Sequence, residues 1–255
     1  MLIVLSPAKT LDFERPVPEA SFSMPALLDE AESLVGILRE KSPAELASLM
    51  KISDRLAVLN AARFETWSRP FTPQNARQAV FAFDGDVYDG LDAKSLGPEA
   101  LNYLQGHLRI LSGLYGLLRP LDLFQAYRLE MGTRLANSAG RDLYAFWGDR
   151  ITLALNSAFP EQGGEAVLVN LASEEYFKAI RPDRLSARVI TPVFEECKAG
   201  VCRVVSLHAK RARGLMSRYA AERALEDPEA LKAFDLEGYA FDPSTSDAGR
   251  WIFRR

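Results

Sequence analysis

Cysteine and histidine are scarce in this chain, with two of each among 255 residues. A structural zinc site takes four ligands, mostly Cys and His, so the sequence predicts no metal site and no bound cofactor. So few cysteines, with no export signal, are typical of a protein in the reducing cytoplasm. The apolar N-terminus lacks the basic segment of a signal peptide, so Leu2–Leu5 is predicted to be a strand and the protein to be cytoplasmic.

Long hydrophobic runs are also absent. Apolar runs such as 79–83 fall far short of the roughly 20 residues that span a bilayer, so we expect no membrane contact. The composition, 48% hydrophobic and 25% charged, is that of an ordinary globular protein. Neither a repeat nor a long linker interrupts the chain, which predicts one domain over residues 1–255, expected to be a monomer.

Periodicity and turn residues predict a mixture of strands and helices. The predicted strands are Leu2–Leu5, Val80–Phe83, Val167–Leu171, Ala187–Glu195 and Val201–Leu207. The predicted helices begin near Met24, at Ser42, at Ser53, at Pro98 (through Leu111), at Tyr144 (through Ala158) and at Lys210 (through Leu225). Because strands and helices do not alternate steadily, we expect an α+β or irregular α/β fold, with a mixed sheet flanked by helices.

One segment resembles a DNA-binding element. Residues 49–57 match the helix-hairpin-helix pattern L-P-G-I-G-P-K-T-A at Leu49, Ile52, Ala57 and, as Arg for Lys, at Arg55. The first amides of the second helix would bind a phosphate, with Lys51, Ser53 and Arg55 beside it. The predicted element covers about residues 43–64. The alternative is a plain helical corner in which Ile52 is a core residue.

The basic residues are unevenly distributed, although the net charge is −3. Residues 203–221 contain no Asp or Glu and five cations: Arg203, Lys210, Arg211, Arg213 and Arg218. If this stretch and other basic residues line one cleft, an acidic protein can still attract a polyanion locally. Gly214 would permit the close approach of another backbone. The alternative is a solvated basic helix that pairs with nearby carboxylates.

Short polar clusters follow predicted strands, where pockets commonly form. The candidates for catalysis are Lys9 and Lys210 as nucleophiles and Asp122 and Glu130 as bases. For each residue the alternative is a helix cap or a structural ion pair. Cys197 and Cys202 face each other across a predicted hairpin. A redox disulfide is conceivable there, but two inert thiols are the favoured interpretation.

Six segments together resemble the peroxide-stress YaaA family over the whole chain. They are 6–12 (SPAKTLD), 83–88 (FDGDVY), 110–122 (ILSGLYGLLRPLD), 127–132 (YRLEMG), 170–178 (NLASEEYFK) and 210–214 (KRARG). The resemblance implies a cytosolic bacterial protein of the hydrogen-peroxide response, which limits free iron and so protects DNA and protein. It also implies one α/β domain with a helix-hairpin-helix element and a basic cleft for duplex or distorted DNA.

The resemblance also assigns site residues. The hairpin falls on Met50–Ser53, followed by Arg55. The shared basic positions fall on Lys9, Arg119, Arg128, Lys178, Lys210, Arg213 and Arg218.

We therefore expect a stress protein that binds double-stranded or structurally distorted DNA. The alternative is an enzyme that acts on nucleic acid or a nucleobase, with a pocket formed by Lys9, Asn170, Ser173, Lys178 and Lys210.

Overall fold

A sheet of eight strands is the central element of the computed structural model, which describes residues 1–18, 21–159 and 165–255. In chain order the strands are β1 (Leu2–Leu5), β2 (Thr10–Leu11), β3 (Arg77–Gln78), β4 (Phe83–Asp84), β5 (Leu108–Ser112), β6 (Gly116–Leu118), β7 (Leu123–Phe124), β8 (Val167–Leu171), β9 (Arg188–Lys198), β10 (Val201–Arg203), β11 (Ala240–Phe241) and β12 (Arg250–Arg254). The order across the main sheet is β11-β12-β9-β8-β1-β5-β6, and β10 pairs with β9.

Five strands in the middle of this sheet are parallel: β5, β1, β8, β9 and β12. The outer strands β6, β10 and β11 are antiparallel to their neighbours. All four residues of β1 are buried, as expected for a parallel strand covered on both faces. Since β1 and β8 run in the same direction, the segments that follow Leu5 and Leu171 leave the sheet at the same edge.

Helices cover the sheet and form the rest of the molecule. They are α1 (Leu28–Arg39), α2 (Pro43–Met50), α3 (Asp54–Thr66), α4 (Ala79–Ala82), α5 (Asp86–Leu91), α6 (Pro98–His107), α7 (Leu143–Trp147), α8 (Arg150–Asn156), α9 (Glu174–Phe177) and α10 (Ser206–Glu222). Short 3-10 turns lie at Ala93–Ser95, Pro182–Arg184, Pro228–Ala233 and Leu236–Gly238. The expected mixed sheet flanked by helices in one compact domain is confirmed. In the described part of the chain, no helix is long and apolar enough to cross a membrane.

Helices α2 and α3 form a tight corner. Ser42 caps α2 in a capping box: its hydroxyl accepts from the Glu45 amide at 3.3 Å, and the Glu45 carboxylate accepts from the Ser42 amide at 2.8 Å. The helix ends at Lys51, which adopts the left-handed conformation with φ 53° and ψ 51°. Ile52 and Ser53 then lead directly into α3. The predicted starts of both helices are therefore confirmed.

Helices α5 and α10 cross with their backbones in contact. A Cβ atom at Gly214 would overlap the carbonyl oxygen of Val87, and one at Gly90 would overlap the carbonyl oxygen of Arg211. Each helix thus contributes a glycine where the other approaches, which confirms the expectation for Gly214. The crossing fixes the position of the basic helix α10 relative to α5.

Four predicted elements are wrong in type or extent. Ala79–Ala82 is a buried helical turn rather than a strand, because a short apolar run has no period that separates the two. Helix α6 ends at His107, and Leu108–Ser112 is a buried strand that lies between β1 and β6. Gly148, at φ 49°, divides the helix predicted over 144–158. Strand β10 ends at Arg203, and α10 begins at Ser206.

The hairpin of β9 and β10 carries a disulfide between Cys197 and Cys202. The two residues are register partners across the hairpin, which brings their sulfur atoms together. The favoured interpretation of two inert thiols is therefore wrong for this structure.

The crossing of α5 and α10 gives a test of stability. We expect Gly214→Ala to lower the free energy of unfolding by about 1–3 kcal/mol or more, because the added methyl group forces the helices apart. Urea denaturation monitored by circular dichroism measures the change. Gly36→Ala is the matched control, since no atom lies within 4 Å of its added Cβ. The free energy of unfolding of Gly36→Ala should exceed that of the wild type by up to about 1 kcal/mol. Equal stability of Gly214→Ala and the wild type would contradict the packing argument.

Candidate functional site

A cavity of about 390 Å³, lined by both charged and apolar residues, lies where β1 and β8 end. At its floor, Ser6 follows β1 and Ser173 follows β8. The Ser6 hydroxyl donates to the Ser173 hydroxyl at 3.3 Å and accepts from the Ser173 amide at 2.8 Å. We call this the inner cavity. Its charged lining residues are Lys9, Asp84, Asp86, Glu130, Glu175, Lys210 and Arg213.

A wider cavity of about 830 Å³ adjoins the inner one. One wall is the end of α2 and its turn, residues 48–51. The other wall is the segment 128–134, which follows β7. We call this the outer cavity. Lys9, Glu130 and Glu175 line both cavities, so the two form one continuous cleft.

Cations outnumber carboxylates in this cleft, although the whole chain is acidic. Its six cations are Lys9, Lys51, Arg128, Arg134, Lys210 and Arg213. Its four carboxylates are Asp84, Asp86, Glu130 and Glu175. The structure therefore brings together six of the predicted residues (Lys9, Lys51, Arg128, Glu130, Lys210 and Arg213) in one place.

Glu130 lies at the junction of the two cavities. Its Oε1 atom accepts from Arg128 at 3.0 Å and lies 3.4 Å from the amine of Lys9. Its Oε2 atom is buried and has no hydrogen-bond partner among the described residues. A buried carboxylate oxygen without a donor is costly, by roughly 1–3 kcal/mol, so such atoms mark strained or functional positions.

The two basic residues of α10 in the cleft differ in how they are paired. The Lys210 amine lies 3.9 Å from a carboxylate oxygen of Asp86, at the limit of an ion pair. The guanidinium of Arg213 makes no ion pair or side-chain hydrogen bond in the described part of the chain. Burial lowers the pKa of Arg213, and no nearby carboxylate counteracts that effect. Arg213 is thus a partly buried cation without a counter-ion.

The turn between α2 and α3 presents free donors beside the outer cavity. Lys51 is exposed and occupies the position of the first glycine in the helix-hairpin-helix pattern, and it has the left-handed backbone that glycine favours. Ser53 is the N-cap of α3, but its side chain does not cap the helix. Ile52 packs partly buried against the core. Arg55 is exposed and makes no ion pair with any described residue.

Other predicted residues lie outside the cleft. Asp122 is 1% exposed, and it accepts from the Ser23 hydroxyl at 2.6 Å and from the Arg119 amide at 2.7 Å. Burial raises the pKa of this carboxyl despite those bonds. Arg218 donates to the Leu91 and Asp92 carbonyl groups at the C-terminal end of α5, whereas the residues of α5 that line the cleft lie at its start. These three residues hold loops in place.

Lys178 and the amines of the two candidate nucleophiles are accessible to water. Lys178 is exposed, and its amine lies 5.1 Å from the centre of the Tyr144 ring. The side chain of Lys9 is 68% exposed and that of Lys210 is 53% exposed. Burial therefore does not desolvate either amine, and desolvation is one of the conditions that make lysine nucleophilic.

A buried ionic cluster around Asp12 was not predicted from the sequence. The Asp12 carboxylate accepts from the amides of Glu14 and Arg15, at 3.1 and 2.9 Å, and from the Lys94 amine at 3.1 Å. Arg77 lies 3.7 Å away and donates to the Asp12 carbonyl oxygen. Although burial alone would raise the pKa of Asp12, these donors hold it at about 2. The cluster fixes the loop after β2, and its neighbour Thr10 lines the inner cavity.

The fold and the cleft define a class: a single-domain mixed α/β protein with a cationic cleft at the carboxyl edge of parallel strands. Comparison with known proteins identifies the family within this class. Residues 1–245 match the family model described as peroxide stress protein YaaA, and the chain belongs to that family.

Relatives in three bacteria match along the whole chain. The UPF0246 protein of Azoarcus sp. strain BH72 is 59% identical over 258 residues, covering 100% of this chain and 99% of the relative. The UPF0246 protein of Ralstonia pickettii strain 12J is 59% identical over 255 residues, with the same coverage. That of Aromatoleum aromaticum is 60% identical over 258 residues, again covering 100% and 99%.

The Asp12 cluster predicts a defined pH dependence of stability. Because the pKa of Asp12 in the fold is about 2, below its ordinary 3.8, its stabilisation is complete above about pH 4. It is lost as the pH falls through 2. We expect Asp12→Asn to lower the free energy of unfolding by about 1–2 kcal/mol at pH 7. The difference from the wild type should shrink as the pH falls towards 2. Urea unfolding across pH 2–7 measures it.

The matched control for Asp12→Asn is Asp183→Asn, which alters an exposed carboxylate that makes no ion pair in the described chain. Its stability should follow that of the wild type at every pH. A difference for Asp12→Asn that stays constant from pH 7 to pH 2 would contradict the assigned charge state.

Proposed function

We propose that this protein binds the phosphate backbone of duplex DNA through the α2–α3 turn and the cleft. The observation that carries the proposal is the position of Lys51. It lies on the exposed turn before α3 and also lines the outer cavity opposite Arg128 and Arg134. A strand that contacts the turn would therefore also meet the cations of the cleft.

The start of α3 is suited to an anion. The first amides of a helix have no intrahelical acceptors, and the side chain of Ser53 does not satisfy them. Together with the helix dipole, free amides attract phosphate. Lys51 and Arg55 add positive charge on either side of this point. These contacts are to the backbone, so they give affinity with little dependence on base sequence.

Within the peroxide-stress response, we propose that such binding protects DNA from iron-mediated damage. A bulged or bent duplex bends at lower energetic cost, so a strand can follow both the turn and the cleft more easily. We expect distorted DNA to bind more tightly than intact duplex for this reason.

The alternative, an enzyme with a nucleophilic lysine, has weaker support. The contact between Lys9 and Glu130 would allow a proton transfer, but both candidate amines are exposed to water.

The variant Lys51→Gly separates binding from folding. Glycine relieves the left-handed backbone at this position, so we expect the variant to be more stable by about 1 kcal/mol. It should nevertheless bind a bulged duplex about fivefold more weakly at low salt, because one phosphate contact is lost. Fluorescence anisotropy of the labelled duplex across a salt series measures both the affinity and the salt slope.

Lys198→Gln is the matched control for Lys51→Gly, since it removes one exposed lysine on the β9–β10 hairpin, outside the cleft lining. It should bind as the wild type does. The proposal predicts a salt slope that is reduced by about one for Lys51→Gly alone. Wild-type affinity of Lys51→Gly, or an equal loss in Lys198→Gln, would overturn the assignment of this surface.

A further inference from the structure

We propose that the inner cavity is a pocket for a single nucleotide, whose phosphate binds Arg213 and Lys210. The inference rests on the proposed function, because the pocket opens into the cleft that would hold the DNA backbone. In this proposal the inner part of that cleft binds one nucleotide, either free or extruded from a strand.

The charge of Arg213 favours an anionic ligand. This guanidinium lines the cavity without a counter-ion in the described part of the chain, whereas Lys9 and Lys210 of the same lining lie 3.4 and 3.9 Å from a carboxylate oxygen. Lys210 lies one turn earlier on the same helix, with a single carboxylate at 3.9 Å. A planar guanidinium next to an ammonium group is a common arrangement for a phosphate, which accepts several charge-assisted hydrogen bonds.

The other polar groups of the lining suit the sugar and the base of a nucleotide. The Ser173 hydroxyl accepts the hydrogen bond from Ser6, so its own proton remains available to a ligand. Asp84 and Asp86 line the same cavity on either side of Gly85. Carboxylates repel phosphate but accept hydrogen bonds from sugar hydroxyls and base amino groups. The lining therefore offers both kinds of partner that a nucleotide requires.

The size of the inner cavity and its access from the outer cavity also suit a nucleotide. A cavity of about 390 Å³ lies within the range of roughly 300–1,000 Å³ that is usual for small-ligand pockets. It is continuous with the outer cavity, which is twice as large and open to the α2–α3 turn. A sugar phosphate would satisfy Arg213 with its phosphate, whereas a nucleotide would in addition offer the amino group of a base to the carboxylates of Asp84 and Asp86.

The surrounding helices and strands hold the lining residues of the inner cavity in place. Gly90 approaches the backbone of Arg211, and Gly214 approaches the backbone of Val87, so α10, which carries Arg213, is fixed against α5, which begins at Asp86. On the other side, Thr10 pairs with Asp84 across β2 and β4. A preformed arrangement loses little conformational entropy when the ligand binds.

Isothermal titration calorimetry with deoxyadenosine monophosphate tests the proposal on the full chain. We expect saturable binding to the wild type and a dissociation constant at least about tenfold higher for Arg213→Gln, the loss typical of a charge-assisted hydrogen bond. Arg211→Gln is the matched control, because Arg211 lies on the same helix but pairs with Glu237 outside the cleft. It should bind as the wild type does. Lys210→Gln provides a second variant, and thermal melting verifies that each one is folded.

Measurements with ribose 5-phosphate and with duplex DNA show which part of the proposal holds. Ribose 5-phosphate should bind more weakly than the nucleotide; equal binding would overturn the claim that the pocket recognises a base. Wild-type affinity of folded Arg213→Gln and Lys210→Gln, or no binding of the nucleotide at all, would overturn the pocket. Duplex anisotropy on the same samples separates the two proposals. If duplex binding persists without nucleotide binding, only this inference fails, and if both are absent, the proposed function fails as well.

Discussion

The contact between the backbones of α5 and α10 is the constraint on which the site depends. Two helices can approach this closely only where both lack a side chain, and Gly90 and Gly214 meet that condition. As a result, Lys210 and Arg213 of the basic helix line the cavity at the carboxyl ends of β1 and β8. Lys210 and Arg213 are then held beside the segments that leave β1 and β8, and a cleft forms between them.

A second constraint acts from the opposite side of the cleft. The carboxylate of Asp12 gathers donors from its own loop, from Arg77 and from Lys94, and so fixes the short strand that precedes it. That strand pairs with β4, which ends at Asp84 and is followed, after Gly85, by Asp86 at the start of α5. The two walls of the inner cavity are thus anchored by different means, one by close packing and the other by buried ionic hydrogen bonds.

Much of this architecture was predictable from local signals. The capping box at Ser42, the buried strand β1 and the role of Gly214 follow from residue type and spacing. The strand 108–112 was not predictable from local signals, because Leu108 and Leu111 also fit the helical spacing of α6. Only the pairing of this segment with β1 distinguishes a strand from a continued helix. A central parallel strand is apolar on both faces, so it has no alternation to reveal it.

The candidate site, too, could be predicted from the sequence only in part. The sequence indicated the basic residues of α10 and the polar residues after β1, and the structure brings these together in one cleft. It could not indicate that Asp122 is enclosed by Ser23 and Arg119, or that Arg218 binds loop carbonyl groups. Both facts depend on residues far away along the chain. Charge alone does not separate a binding arginine from one that holds a loop.

The central claim is that the α2–α3 turn and the cleft form one surface for nucleic acid. Amide hydrogen exchange, with and without a saturating bulged duplex, tests it most directly. We predict slower exchange at residues 51–56 and 6–10, because phosphate would occupy the uncapped amides of α3 and the duplex would cover the cleft wall. Unchanged exchange in both segments, or protection confined to the β9–β10 hairpin, would contradict the account.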